Sequence, residues 1–205
     1  MKIITISREF GSGGRELGKR LADELGWDYY DREIISAIAQ RKGMDEDYVE
    51  KALDQRLWQR MPLTFRGSFS LGQQPMQTGL LLEQKRIIEG IAKTGRNCVI
   101  VGRNADVLLR QYAPFNLFVC AQQEAKVQRC LDRAPEGERL SRREMKKKMK
   151  GIDKSRAQTR ELIGGGQWGQ RGSYHLTVNT TGWDMGALTG AVAEYARVWF
   201  GRDEK

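Results

Sequence analysis

Between Lys2 and Leu25 the chain passes from a short β-rich run through a glycine-rich turn into a helix, without a spacer. Lys2 to Ser7 alternates as a strand does, and Leu17, Leu21 and Leu25 recur at the four-residue spacing of a helix face. The turn, Ser7-Arg8-Glu9-Phe10-Gly11-Ser12-Gly13-Gly14-Arg15-Glu16, is rich in small residues. Small residues let backbone N–H groups approach an anion at the positive end of the following helix. The strand, turn and helix therefore open an α/β domain with a phosphate-binding loop, or form a tight turn whose glycines serve close packing.

The rest of the chain repeats the alternation. Trp27 to Tyr30 reads as a strand, and Asp31 is placed to cap a helix carrying Ile34, Ile35 and Ile38. Asp45 to Leu57 reads as helical. From Arg60 to Thr78 prolines, glycines and scattered aromatics show no period, which predicts an irregular connection before a helix over Leu80 to Lys93. Cys98 to Val101 is a buried-strand run ending in the polar turn Gly102-Arg103-Asn104-Ala105-Asp106, where α/β folds put ligands. Phe115 to Cys120 follows as another strand, and Ser141 with Glu144 makes a capping box ahead of a long basic helix. Tyr174 to Asn179 and the amphipathic helix of Leu188, Val192 and Trp199 close the chain. The expected fold is α/β: a three-layer parallel sheet with helices on both faces. At 205 residues one domain is expected, with a helical region over about 31–95 and a lid over about 139–172.

No apolar stretch long enough for a membrane span occurs, and the first residues lack the longer apolar segment of a signal peptide, so a cytoplasmic protein with no membrane partner is expected. Cys98, Cys120 and Cys130 are widely spaced and odd in number, which favours packed thiols over disulfides or metal ligands. The balance of 35 basic against 26 acidic residues points to a polyanionic partner. Ten of the cations fall between Arg139 and Arg160, a density suited to closing over a triphosphate or to a solvated helix face.

Against the phosphate-loop pattern G-x-x-x-x-G-K-[S/T], Arg8 stands at the first glycine, Gly13 at the second, Gly14 at the lysine and Arg15 just beyond. Arg15 is the candidate replacement for the missing cation, because a guanidinium pairs with phosphate oxygens in a forked geometry. Glu16 stands near the place of the hydroxyl residue that holds Mg²⁺. It is read either as a contact to the metal or its waters, or as a first-turn glutamate favoured by the helix dipole.

Several of these segments together resemble the cytidylate kinase-like branch of the nucleoside monophosphate kinases. They are the stretch Ile6 to Glu16, the Tyr30-Asp31 corner, Leu80-Leu81 with Gln84-Lys85, Gly102-Arg103-Asn104, and Asp153-Lys154-Ser155-Arg156-Ala157. The resemblance implies a P-loop nucleotide kinase fold with a basic helical lid, using ATP and Mg²⁺ and a nucleotide acceptor. It implies that Gly11, Ser12, Gly13, Gly14, Arg15 and Glu16 bind the donor, with Arg15, Asp153 and Arg156 catalytic. On the acceptor side it points to Asp31, Arg103, Asn104 and, in place of an absent family arginine, Arg32 or Arg41. Four positions depart from the family: Asn104 replaces an aspartate, and Ala37, Gln77 and Met149 stand where arginines are expected. The implied activity is transfer of the γ-phosphoryl of ATP to a nucleoside monophosphate such as CMP or dCMP, or a related small acceptor. The loop's missing lysine also suits a catalytically weak nucleotide-binding regulator. A dinucleotide-dependent oxidoreductase would need a third glycine where Glu16 stands. A nucleic-acid-binding module rests on charge alone, so no stable nucleic-acid partner is expected.

Overall fold

A computed structural model describes residues 1–54, 66–135 and 140–202, with side chains for all but 51, 52, 54 and 66–77. Five strands form one parallel sheet: β1 (Ile3–Arg8), β2 (Asp28–Tyr30), β3 (Cys98–Val101), β4 (Phe115–Cys120) and β5 (Leu176–Asn179), in the order β2-β3-β1-β4-β5. The helices are α1 (Gly14–Leu25), α2 (Arg32–Lys42), α3 (Glu46–Asp54), α4 (Arg66–Lys93), α5 (Ala105–Leu108), α6 (Gln123–Asp132), α7 (Arg142–Leu162) and α8 (Met185–Gly201).

Because side chains alternate along a strand, β1 and β3 feed two cores. Ile3, Cys98 and Ile100 pack with Ile34, Ile38, Leu80 and Ile88 beneath α2 and α4. Ile4, Ile6, Val99 and Val101 pack with Leu17, Leu21, Leu188 and Val192 beneath α1 and α8. Burial on both faces explains why these strands are apolar throughout. The three-layer arrangement agrees with the alternation in the sequence.

Two local readings need correction. The helix expected from Leu80 begins at Arg66, so residues 66–78 are helical where an irregular connection was expected; residues 60–65 of that stretch, and 55–57 of the helix expected over Asp45 to Leu57, lie outside the described residues. Gly67, Gly72 and Pro75 mask the period in the sequence, but the helix stands nonetheless. Asp31 is not a side-chain cap for α2: its carboxylate turns back to two arginines, while its own N–H donates to Glu33. Ser141 does cap α7, through a reciprocal box with Glu144.

Candidate functional site: the loop after β1 and the lid helix

Going outward from the centre of the sheet, the chain leaves β1 toward one edge and β4 toward the other, so a crevice opens at the carboxyl ends of these two strands. The loop from Glu9 to Gly13 lies there, and α1 begins at Gly14 with Gly13 in the left-handed conformation at φ 82°. The first-turn amides of α1 have no intrahelical carbonyl to bind, and the helix dipole adds positive potential.

Side chains fasten this loop from several directions. Thr180 beyond β5 donates to the Ser12 carbonyl at 2.6 Å. Arg129 of α6 donates to the Gly11 carbonyl at 2.7 Å. Glu9 accepts from Lys126 at 2.7 Å. From α7, Asp153 accepts from the Phe10 amide at 2.7 Å, and Arg156 donates to the Arg8 carbonyl at 2.9 Å and to Asp153 at 3.2 Å. Burial holds the Asp153 carboxyl above its ordinary range, with the Phe10 amide and Arg156 pulling the other way. Helix α7 is thus docked on the loop.

A cleft of about 400 Å³ lies between them. Gly11, Gly13, Gly14, Arg15 and Glu16 line one side, and Arg129, Arg133, Lys148 and Arg156 the other. Cys130, Ala134, Pro135, Leu140 and Met145 supply an apolar portion. Ser12 does not line it: the buried hydroxyl donates inward to the Glu9 carbonyl and accepts from the Gly14 amide. A polyphosphate with a flat apolar group attached matches this distribution of amides, cations and apolar wall.

A second cavity of about 40 Å³ adjoins the cleft and is lined by Ser7, Gln84, Arg103, Asn104, Thr159 and Trp168, among others. The turn at its rim has three successive left-handed residues, Gly102, Arg103 and Asn104 at φ 79°, 56° and 53°. Arginine at positive φ is uncommon, and such strain concentrates at ligand sites. Gln84 steadies the turn by donating to the Arg103 carbonyl at 3.0 Å. Trp168 stands edge-on to Phe118, with ring centroids 5.2 Å apart.

The expected acceptor residues are dispersed. Arg103 and Asn104 line the small cavity; Asp31, only 3% exposed, lines a separate open one with Arg15, Glu16 and Arg32, its Oδ2 held by Arg15 at 2.5 Å and its Oδ1 by Arg8 at 3.3 Å. Arg41 is placed elsewhere, on Glu83 at 3.1 Å, and lines neither cavity. Met149 packs with Val127 and Met145. The side chain of Gln77 and residue Arg139 lie outside the described residues. Of the basic helix, Lys148 and Arg156 face the cleft, whereas Arg142 and Lys146 pair with Glu124 and Arg160 with Asp106.

Glu16 is already neutralised, by Arg133 at 2.5 Å and Arg20 at 3.1 Å, and the Arg133 hydrogen bond holds its carboxyl below the usual range. Glu9, the other carboxylate at the cleft, is bound to Lys126. Among the described residues no group of three or more His, Cys, Asp or Glu could hold a metal ion. With both cleft carboxylates already paired to cations, the residues as placed do not fit a Mg²⁺ ion held by the protein itself.

Arg129 and Arg133 escape sequence reading, since only their four-residue spacing beside the apolar Val127 and Leu131 marks a face of α6. Cys98, Cys120 and Cys130 are free thiols, and burial pushes Cys98 up to about 12. His175 accepts the Asn116 amide at Nδ1, 2.9 Å away, and stacks on Phe115. Among the described residues no helix is long and apolar enough to cross a membrane.

Comparison with known proteins agrees with this geometry. Among solved structures, an uncharacterized protein from Eubacterium ventriosum superposes with TM-score 0.69 at 21% identity, over 96% of this chain and 99% of that one. Shikimate kinases share the fold more distantly: that from Bacteroides thetaiotaomicron has TM-score 0.57 at 15% identity, covering 96% and 98% of the two chains. The enzyme from Acinetobacter baumannii, in complex with shikimate, has TM-score 0.55 at 14% identity, covering 95% and 92%. No curated protein matches in sequence. A family model does match, over residues 3–182, which takes in the loop, the strained turn and helix α7: the chain belongs to the cytidylate kinase-like family.

Proposed function

We propose that the protein is an ATP-dependent phosphotransferase that moves the γ-phosphoryl group to a nucleoside monophosphate such as CMP or dCMP, or to a related small acceptor. The observation that carries this reading is the cleft between the α1 amino terminus and the cations Arg129, Arg133, Lys148 and Arg156. Membership of a kinase-like family supports phosphoryl transfer; the choice of ATP and of a cytidine-type acceptor is inferred from the cleft's chemistry and from the resemblance.

In this reading the triphosphate lies along Gly11 to Glu16 and the base against Ala134, Leu140 and Met145. The acceptor occupies the cavity at Arg103 and Asn104, with Asp31 holding Arg8, which lines it. Mg²⁺ would come bound to the nucleotide and supply charge neutralisation on its phosphates, with no side chain of this chain assigned to hold it. A monophosphate acceptor is largely ionised at neutral pH, so no base is needed. Its oxygen forms a bond to the γ-phosphorus as the bridging bond to the β-phosphate breaks, and the products are ADP and a nucleoside diphosphate. The protein contributes position and positive charge, with Arg156 and Asp153 holding the lid on the loop. Residues 1–205 then act as one unit, with about 31–95 on the acceptor side and about 139–172 as the lid, in the cytoplasm where ATP is abundant.

Coupled ADP release from purified protein with ATP·Mg²⁺, screened across CMP, dCMP, UMP and other small acceptors, tests this. Acceptor-dependent ADP formation is expected for at least one, with a Arg129→Gln variant slowed about tenfold or more. Tight ATP binding with no ADP release over any acceptor would favour the regulator reading, to which the pairing of Glu16 with two arginines lends weight.

A further inference from the structure

In the usual phosphate loop glycine comes first and lysine six residues later; here Arg8 stands first and Gly14 in the lysine's place. The cation and the glycine have exchanged positions, and the packing shows why they change together. A Cβ built on Gly14 would lie 2.6 Å from Arg8 Cβ, 3.1 Å from Arg8 Cγ and 3.2 Å from Val119 Cβ. A lysine at 14 and an arginine at 8 therefore exclude one another. The Arg8 stem fills the space a lysine would need, and its guanidinium reaches the Gly102 turn, where a built Cβ would lie 1.5 Å from Nη1.

Arg8 is also where the two cavities meet. Among the residues lining the donor cleft and the smaller cavity, Arg8 and Arg156 are common to both. Its side chain is 12% exposed, with Nη2 3.3 Å from Asp31 Oδ1. Arg15 takes the other Asp31 oxygen, so two guanidinium groups converge on one carboxylate, with the Glu33 carboxylate on the Asp31 amide. Arg15 itself is 53% exposed and directed at Asp31.

We propose that Arg8 supplies the cation that binds the γ-phosphoryl group, in place of the lysine of the usual loop, and that Arg15 is a positioning residue acting through Asp31. This rests on the phosphotransferase reading. A guanidinium remains protonated and presents forked donors to two phosphate oxygens, which suits a group shared between donor and acceptor sites.

Binding calorimetry with ATP and ADP, alongside thermal melts, tests it in the wild type, Arg8→Gln, Arg8→Lys, Arg15→Gln and the double variant Arg8→Gly/Gly14→Lys. Wild-type protein should bind ATP more tightly than ADP. Arg8→Gln should weaken ATP about ten- to a hundredfold while ADP changes less than about threefold. Arg8→Lys should retain part of the preference, and the double variant, which restores the usual order, should recover it. The proposal is overturned if Arg8→Gln weakens both nucleotides equally and in step with its melting temperature, or if Arg15→Gln alone removes the preference. Wild-type protein that binds neither nucleotide would sink the phosphotransferase reading itself, an outcome distinct from the others.

Discussion

Gly11 takes φ 76°, and a Cβ there would meet Cys130 Sγ at 2.7 Å and the Lys126 carbonyl at 3.0 Å. Alanine at this position meets backbone strain and α6 together, costing about 1–2 kcal/mol from conformation before any clash. Gly11→Ala is expected to lower ATP affinity about tenfold or more by calorimetry, with part of the loss recovered in Gly11→Ala/Cys130→Ala. The run of glycines was legible as a phosphate loop because its chemistry is local. The partners of Arg8, Arg15 and Glu16 were not, since Asp31, Gly102 and Arg133 reach them only through the fold. The sequence pointed to Arg15 as the cation for that reason: adjacency in the chain favours it, whereas the packing around Gly14 favours Arg8.

Helix α7 was legible from its capping box, and its two inward methionines follow the helical period. Helix α4 was only partly so, because Gly67, Gly72 and Pro75 read as breakers when tertiary support is invisible. Near the end of α7, Arg160 donates to Asp106 at 2.5 Å with both side chains buried, and Tyr174 lies under the guanidinium, 5.3 Å to its ring centroid. This pair ties the lid helix to α5, directly after the Arg103 turn. Removing one partner leaves a buried charge, so Arg160→Met should lower unfolding stability by about 3–5 kcal/mol in urea titration. Asp106→Leu/Arg160→Met should regain most of that stability. If the ion pair's directionality sets the lid, the double variant should turn over more slowly than its melting point suggests.

For the molecule as a whole, the parallel direction of the strands and their cover of helices on both faces followed from the alternation of apolar runs with helices, whereas the strand order came only with the fold. The positions of the two cavities followed less directly, because they depend on which strand neighbours β1. His175 joins β4, β5 and α8 through Asn116, Phe115 and Trp199. Burial and then Arg202 depress its pKa below 6.5. The folded chain thus binds fewer protons than the unfolded chain, so stability should fall as pH drops through 6.5 toward the depressed value. Protonation would also set an N–H against the Asn116 amide. Thermal melts between pH 7.5 and 5 should show this loss, and His175→Gln should flatten it; an unchanged slope would remove His175 as its source.

The strand that carries the phosphate loop lies at the middle of the sheet, yet its neighbours are distant in the chain: Ile3 pairs with Cys98 and Ile4 with Phe115. During synthesis residues 3–8 are made ahead of β3 and β4 and must wait for both before their two sides are covered. At ordinary elongation rates that delay is about 6 to 24 s for about 120 residues. Throughout it an apolar strand with an open edge is available to other chains, so a nascent protein of this design depends on holding that segment apart until its partners leave the ribosome.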